Sequence, residues 1–179
     1  MPNISDIKVG QVLRSEFDQI TRELLQKYAK SSGDTNPIHT NDAIAERAGL
    51  KGVIAHGLFS SGFIIKMLDD FVGKSGKLIE LDIEMRGMVR VGDILITEGT
   101  VTKIESNRVY LDIKQTTITP VEIKKDGNVV KKFEAGERGY ISEKDIARNL
   151  IKTKEVDDGT LTYRERVAAP GHAIIELNK

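Results

Sequence analysis

Asp34, Asn36 and His39 lie in one short stretch, SGDTNPIH, which runs from residue 32 to residue 39. The glycine permits an abrupt change of chain direction, and the proline stiffens the loop between the polar groups. A carboxylate and an imidazole held close together can share one water molecule and move protons to and from it. The same residue types are also ordinary turn formers after a helix, so a plain turn remains the alternative at this point.

Gly57 follows Ala55 and His56 at the start of a strongly apolar segment, and it is the second feature with chemical potential. The first N–H groups of a helix have no partner within the helix, and the helix dipole adds positive charge there. A glycine at this position exposes its N–H, which can stabilise negative charge that develops on a carbonyl oxygen. The alternative is that Gly57 only permits close packing and that His56 is structural.

Two predicted helices position these residues. Thr21 is a suitable N-cap for a helix that ends near Gly33, directly before the polar loop. Over residues 57–73, apolar side chains cover most of a helical wheel, and the polar or small residues form one narrow stripe. Because a helix that is apolar almost all round is usually buried, we expect this one at the centre of the domain.

Alternation of apolar and polar residues, bounded by turn signals, predicts a set of strands. These strands cover residues 12–17, 79–91, 94–105, 108–119 and 129–141. Ser142 can cap a short helix through Ile151. One buried helix followed by a run of antiparallel strands indicates an α+β fold in which a curved sheet wraps around the helix. Such a sheet leaves an open edge, so pairing with a second copy is expected.

The composition excludes several kinds of site and partner. The 179 residues suit one domain, and the absence of cysteine excludes disulfides, thiolate zinc sites and cysteine nucleophiles. With 27 basic and 27 acidic residues, the chain lacks a basic footprint for nucleic acid. It shows neither a signal-peptide pattern nor an apolar run long enough to span a membrane, so we expect a cytoplasmic protein.

The motif SGDxNPxH at residues 32–39, followed by AHG at residues 55–57, resembles the MaoC-like, R-specific enoyl-CoA hydratase family of the hot-dog fold. The order of elements agrees, and RGMVRVGD at residues 86–93 also resembles the family. The resemblance spans about residues 8–141. It implies an α+β hot-dog fold with a single domain over residues 1–141, and it leaves residues 142–179 as a C-terminal extension of unknown role. A lid, a dimer contact and simple decoration are the alternatives for this extension, of which decoration is favoured.

The resemblance also implies a role for each motif residue. Asp34 and His39 match the catalytic acid/base pair, and Asn36 matches the residue that helps to hold the pair and the water. Gly57 matches the glycine whose backbone N–H binds the thioester oxygen. The implied reaction is syn addition of water to a trans-2-enoyl-CoA to give the 3R-hydroxyacyl-CoA, or the reverse. No metal or organic cofactor is implied, since coenzyme A is part of the substrate, and a homodimer or higher homo-oligomer is expected.

Three alternative functions stay open. The first is dehydration of 3-hydroxyacyl groups carried by acyl carrier protein. The second is thioester hydrolysis by a hot-dog thioesterase, although such enzymes typically lack the Asp-x-Asn-Pro-x-His loop. The third is non-catalytic binding of acyl-CoA, because a fold alone does not guarantee chemistry. The complete set of Asp34, Asn36, His39 and Gly57 argues against the third.

Overall fold

The computed structural model describes residues 4–18 and 20–178. Its strands are β1 (Val12–Phe17), β2 (Gly76–Ile83), β3 (Ile94–Glu105), β4 (Arg108–Lys125), β5 (Asn128–Lys132), β6 (Ile151–Val156) and β7 (Gly159–Leu177). Its α-helices are α1 (Arg22–Ser32), α2 (Asp42–Arg47), α3 (Gly57–Val72), α4 (Glu134–Glu137) and α5 (Glu143–Ala147). The strands form one antiparallel sheet in the order β1-β3-β4-β7-β2, while β5 pairs with β4 and β6 pairs with β7.

Helix α3 contacts β1, β2, β3 and β7, which confirms the predicted sheet around a central helix. Ile64 and Leu68 are fully buried in one apolar cluster with residues of the sheet such as Leu111 and Ile175. The burial is one-sided, however, because Leu58 and Ile65 on α3 are 71% and 46% exposed. The prediction of a helix buried all round is therefore wrong for its outer face.

Several predicted elements are confirmed within one or two residues. Strand β1 covers the predicted residues 12–17, and β3 and β4 are joined in the predicted hairpin at residues 106–107. Thr21 caps α1, because its side chain accepts a hydrogen bond from the N–H of Leu24 at 3.2 Å. Ser142 caps α5 in a capping box with Asp145, although this helix ends at Ala147 rather than at residue 151.

Three strand predictions are wrong in their lengths. Strand β2 ends at Ile83 instead of residue 91. The pairing with β7 is irregular beyond Ile83, where Arg86 N and Gly87 N both donate to Ala168 O, at 2.8 Å and 2.9 Å. Strand β4 continues to Lys125 instead of ending at residue 119. The strand predicted over residues 129–141 stops at residue 132, where α4 follows.

The predicted domain boundary at residue 141 is also wrong. Strand β7 lies between β4 and β2 and pairs with both, so residues 142–179 are not an extension outside a domain of residues 1–141. Ala169, Ala173 and Ile175 of β7 belong to the same buried cluster as α3. Removal of β7 would separate β2 from the sheet and expose that cluster.

Within the described residues, no helix combines the length and the apolar character that a membrane span requires.

Candidate active site

The loop after α1 is shaped by its own local hydrogen bonds. Gly33 ends the helix in the left-handed region, with φ of 77°, and its N–H donates to Ala29 O at 3.2 Å. The Asp34 carboxylate accepts a hydrogen bond from Asn36 N at 3.2 Å. Asn36 Oδ1 in turn accepts from Ile38 N at 3.3 Å and so caps the 3-10 turn Pro37–His39. These hydrogen bonds therefore hold the Asp34 carboxylate in place and fix the turn that carries the His39 ring.

The tautomer of His39 follows from its contact with the neighbouring backbone. Its Nδ1 lies 2.8 Å from Ile54 O, and since a carbonyl oxygen only accepts, Nδ1 carries the proton. In the neutral ring, Nε2 is then an acceptor. Ile54 is held in place by a bridge to Arg90 and by a bond from its N–H to Ile38 O. His39 itself is buried, with 8% exposure, so the polar loop orients this ring against the protein interior.

His56 stacks on His39 and contacts the backbone of Asp34. The two imidazole centroids are 3.8 Å apart, with an angle of 26° between the ring planes. His56 Nε2 donates to Asp34 O at 3.1 Å, and its Nδ1 is buried without a partner in the described part of the chain. Burial lowers the pKa of His56, which favours the neutral ring. His56 therefore links the two predicted catalytic residues to the start of α3.

Asp34, His39 and His56 form a group in which one potential ligand atom from each residue lies within 4.8 Å of the others. A carboxylate oxygen of Asp34 is thus close to a ring nitrogen of His39, although Asp34 is exposed and His39 is buried. Ligand atoms at these separations could also hold a metal ion, but an acid and a neighbouring imidazole are sufficient for proton transfer.

A cavity of about 230 Å³ opens beside this group. It is lined by His39, by the start of α3, by residues 85–89 and by inward-facing residues of β4 and β7. Gly57 is the first residue of α3, where the N–H has no acceptor within the helix. A β-carbon at Gly57 would collide with the Met85 side chain, so glycine permits the close approach of Met85 to the start of α3.

The structure brings together the residues that the sequence singled out. His39 and Gly57 line the cavity, and the Asp34 carboxylate lies next to His39. Asn36 orients Asp34 through its backbone N–H, while its side chain caps the turn. Sequence reasoning undervalued His56 and missed Gln115, a cavity residue of β4 that is 1% exposed.

Gln115 could have been found from the alternation of its strand. It shares the odd-numbered, inward face of β4 with Val109, Leu111 and Ile113, all of which are buried. A long polar side chain on an apolar face must find hydrogen-bond partners, and such residues mark specific packing or a binding site.

Comparison with known proteins gives the chain a family and a fold. Residues 6–125 match the family described as "MaoC like domain". The R-hydratase of Pseudomonas aeruginosa in its unliganded form superposes with a TM-score of 0.64, covering 98% of this chain and 85% of that chain at 22% identity. The predicted α+β hot-dog fold is confirmed.

Two relatives differ in how much of their length the chain covers. The chain is 31% identical over 112 residues to the (R)-specific enoyl-CoA hydratase of Rhodospirillum rubrum, a match that covers 62% of the chain and 77% of the relative. It is 39% identical over 66 residues to the fatty acid synthase beta subunit TOXC of Cochliobolus carbonum. That second match covers 36% of the chain but only 3% of the relative.

Proposed function

Because the chain belongs to the MaoC-like domain family, we propose that it is a hydro-lyase that adds water to a trans-2-enoyl-CoA, or removes water from the (3R)-hydroxyacyl-CoA. One observation carries the proposal. A carboxylate and an imidazole lie within 4.8 Å of each other beside a cavity, and Gly57 at the start of α3 lines the same cavity. The likeness to an (R)-specific enoyl-CoA hydratase supports this choice of reaction.

In the proposed mechanism, one water molecule lies between the Asp34 carboxylate and His39 Nε2, and both groups accept its protons. The water oxygen forms a bond to the β-carbon while the carbon–carbon double bond breaks. The displaced electron pair moves to the thioester oxygen, where the Gly57 N–H and the α3 dipole stabilise the enolate. The proton taken from water by Asp34 or His39 is then delivered to the α-carbon. Reversal of the same steps gives dehydration.

We propose separate tasks for the two histidines in this mechanism. His39 has its Nδ1 proton committed to Ile54 O, which leaves Nε2 as the base. His56 directs its Nε2 proton to Asp34 O and has its pKa lowered by burial, so it adds no positive charge beside His39.

The direct test is an absorbance assay of enoyl thioester loss with chiral analysis of the product. We expect crotonyl-CoA to be converted to the 3R-hydroxy product. The same acyl groups on acyl carrier protein test for the dehydratase of fatty-acid synthesis, and a thiol reagent in parallel detects thioester hydrolysis. Formation of the 3S product, or release of free thiol without hydration, would contradict the proposal.

We propose that this reaction needs no metal or organic cofactor. Asp34 and His39 supply both proton-transfer groups, and Gly57 with the α3 dipole supplies the electrophilic stabilisation. We expect prolonged dialysis against EDTA to leave the hydration rate unchanged. A rate that is lost on dialysis and restored by one divalent cation would show that the stacked histidines rearrange to hold an ion.

We further propose that the chain works as a homodimer or higher homo-oligomer in the cytoplasm. Leu58, Met85, Met88 and Val167 are large apolar residues that remain exposed, and they belong to three of the segments that line the cavity. An apolar group of this kind is typical of an interaction surface. Light scattering is expected to give at least twice the chain mass. A fully active monomer at assay concentration would contradict the assignment.

A further inference from the structure

The inner wall of the cavity carries three buried polar side chains, those of Ser60, Ser61 and Gln115. Their exposures are 8%, 6% and 1%. A cavity for an unsubstituted alkyl chain needs no such groups, since burying polar atoms without partners is unfavourable. The question is therefore which of their hydrogen-bonding atoms remain available to a ligand.

The donors of all three side chains are already used by the protein. Gln115 Nε2 donates to Ser60 O at 3.0 Å and to Thr97 Oγ1 at 3.1 Å. Ser60 Oγ and Ser61 Oγ donate to Gly57 O at 3.0 Å and 2.9 Å. The orientation of the Gln115 amide is fixed as well, because Ser60 O is a backbone carbonyl and can only accept.

The remaining atoms are acceptors. Gln115 Oε1 has no donor among the described residues, and each serine hydroxyl keeps its lone pairs. The cavity wall therefore offers oxygen atoms that can accept a hydrogen bond from a donor group on the ligand. The cavity volume of about 230 Å³ is smaller than the roughly 300–1,000 Å³ of pockets that hold drug-sized ligands, so a long acyl chain does not fit this space.

We propose that Gln115, with Ser60 and Ser61, makes the acyl site selective for short acyl groups that carry a hydroxyl beyond the β-carbon. This inference rests on the proposed hydration of an enoyl thioester. The hydroxyl donates its proton to Gln115 Oε1 or to a serine oxygen. An alkyl chain of equal size would leave the buried acceptors without a partner, and a site built to bind a hydroxyl discriminates against an analogue that lacks it.

The test compares pairs of substrates in which a hydroxyl replaces a methyl group of equal size. The pairs are 4-hydroxybut-2-enoyl-CoA with pent-2-enoyl-CoA, and 5-hydroxypent-2-enoyl-CoA with hex-2-enoyl-CoA. We expect kcat/KM to favour the hydroxyl member of at least one pair by about 10-fold or more, in line with one buried hydrogen bond. Equal rates within both pairs, or a preference for the alkyl members, would overturn the inference.

Gln115→Met keeps the side-chain length and removes the amide, so the preference within the pairs should disappear or reverse. Ser61→Ala removes one acceptor and should reduce the preference by a smaller factor. Lys114→Met is the matched control, because Lys114 is exposed on the opposite face of β4 and should leave the preference unchanged. Thermal unfolding of each variant separates loss of selectivity from loss of folding. An unaltered preference in folded Gln115→Met protein would contradict the assignment.

Crotonyl-CoA separates failure of this inference from failure of the proposed function. If wild-type protein hydrates crotonyl-CoA but does not prefer the hydroxylated substrates, only the inference is wrong. If it hydrates none of the thioesters, the proposed function itself is wrong.

Discussion

The protein has two clusters of acids and bases that can be compared, and only one of these two has the features of an active site. The first consists of Asp34, His39 and His56 beside the cavity. The second is a buried charged cluster of Asp93, Arg90, Arg164 and Tyr140, in which the Arg90 guanidinium lies 4.3 Å from the centre of the Tyr140 ring. Both clusters combine a carboxylate with nitrogen-containing side chains. They differ in whether a substrate can reach them and in whether their hydrogen-bonding atoms already have partners.

The buried charged cluster is closed to substrate. Asp93 is 0% exposed, and its Oδ2 accepts from Arg90 N at 2.9 Å. Arg164 donates to Tyr140 O and to Thr119 Oγ1, so its guanidinium joins β7 to β4 and to the segment between α4 and α5. In the first cluster, by contrast, His39 lines a cavity and keeps the Nε2 lone pair free.

The contrast teaches that a perturbed pKa does not identify the catalytic group in this molecule. Burial raises the pKa of the Asp93 carboxyl from 3.8 to about 6, yet no reactant can reach it. Perturbed pKa values are common at functional sites, but structural networks of charged residues produce them as well. The distinguishing feature is an acid and a base that share an accessible space.

The largest expected effect is on turnover when the first cluster is changed. Asp34→Asn or His39→Gln should lower kcat by roughly 100- to 10,000-fold, because each removes a general acid–base group. Unfolding temperatures should change little, since Asp34 is exposed and Gln retains a donor near Ile54 O. Steady-state kinetics on crotonyl-CoA measures the effect, with Asp112→Asn and His172→Gln as exposed controls. Near-normal kcat in both active-site variants would remove the basis for the mechanism.

The second prediction concerns stability in the buried charged cluster. Since the folded pKa of Asp93 is raised to about 6 from 3.8, its contribution to stability falls as pH rises from about 4 to 6 and stays low above that. The loss is at most about 3 kcal/mol, at about 1.4 kcal/mol per pKa unit. Asp93→Asn cannot ionise, so it should be more stable than wild type at pH 7.5 and similar at pH 4, with hydration activity retained.

Urea unfolding at the two pH values tests this prediction. A variant that is less stable than wild type at pH 7.5 would show that attraction to Arg90 and Arg164 outweighs the cost of burying the Asp93 charge. A variant that folds normally but loses hydration would place Asp93 in the chemistry after all and would remove the distinction between the two clusters.

The third prediction tests His56 as a positioning residue. His56→Phe retains a ring that can stack on His39 but removes the bond to Asp34 O, so kcat should fall by about 10-fold, in line with one lost hydrogen bond. His56→Gln restores a donor and should recover part of the rate. The matched control is His172→Phe, which changes an exposed histidine. If Phe and Gln variants have the same kcat and differ only in unfolding temperature, the role of His56 is structural.

The smallest expected effect is on stability when Gly33 is changed, the residue that joins α1 to the loop of Asp34 and His39. Gly33→Ala places a β-carbon on a residue with φ of 77° and should lower stability by about 1 kcal/mol. Gly62→Ala is the matched control, because Gly62 lies within α3 with open space around it and should become more stable by about 0.5–1 kcal/mol. Thermal unfolding of both variants gives the comparison, and equal shifts of the same sign would show that backbone conformation is not the cause.

The sequence by itself determined the features that depend on neighbouring residues. Thr21 and Gly33 mark the ends of α1, and the hairpin at residues 106–107 follows from its turn signal. The order Asp34, Asn36, His39 was sufficient to predict a polar loop, because the side-chain hydrogen bonds of Asp34 and Asn36 each join residues that are two positions apart. Such bonds form wherever the local chain allows them, so they can be read without knowledge of the fold.

Only the tertiary structure decided which distant segments meet. Strand β7 looked like part of an extension, because its small residues Ala168, Ala169 and Ala173 weaken the alternation, yet pairing with β4 and β2 puts it inside the sheet. The stacking of His56 on His39 and the position of Gln115 in the cavity depend on the same assembly. These contacts join residues far apart in sequence, and their stability comes from burial shared across the whole domain, which no local pattern contains.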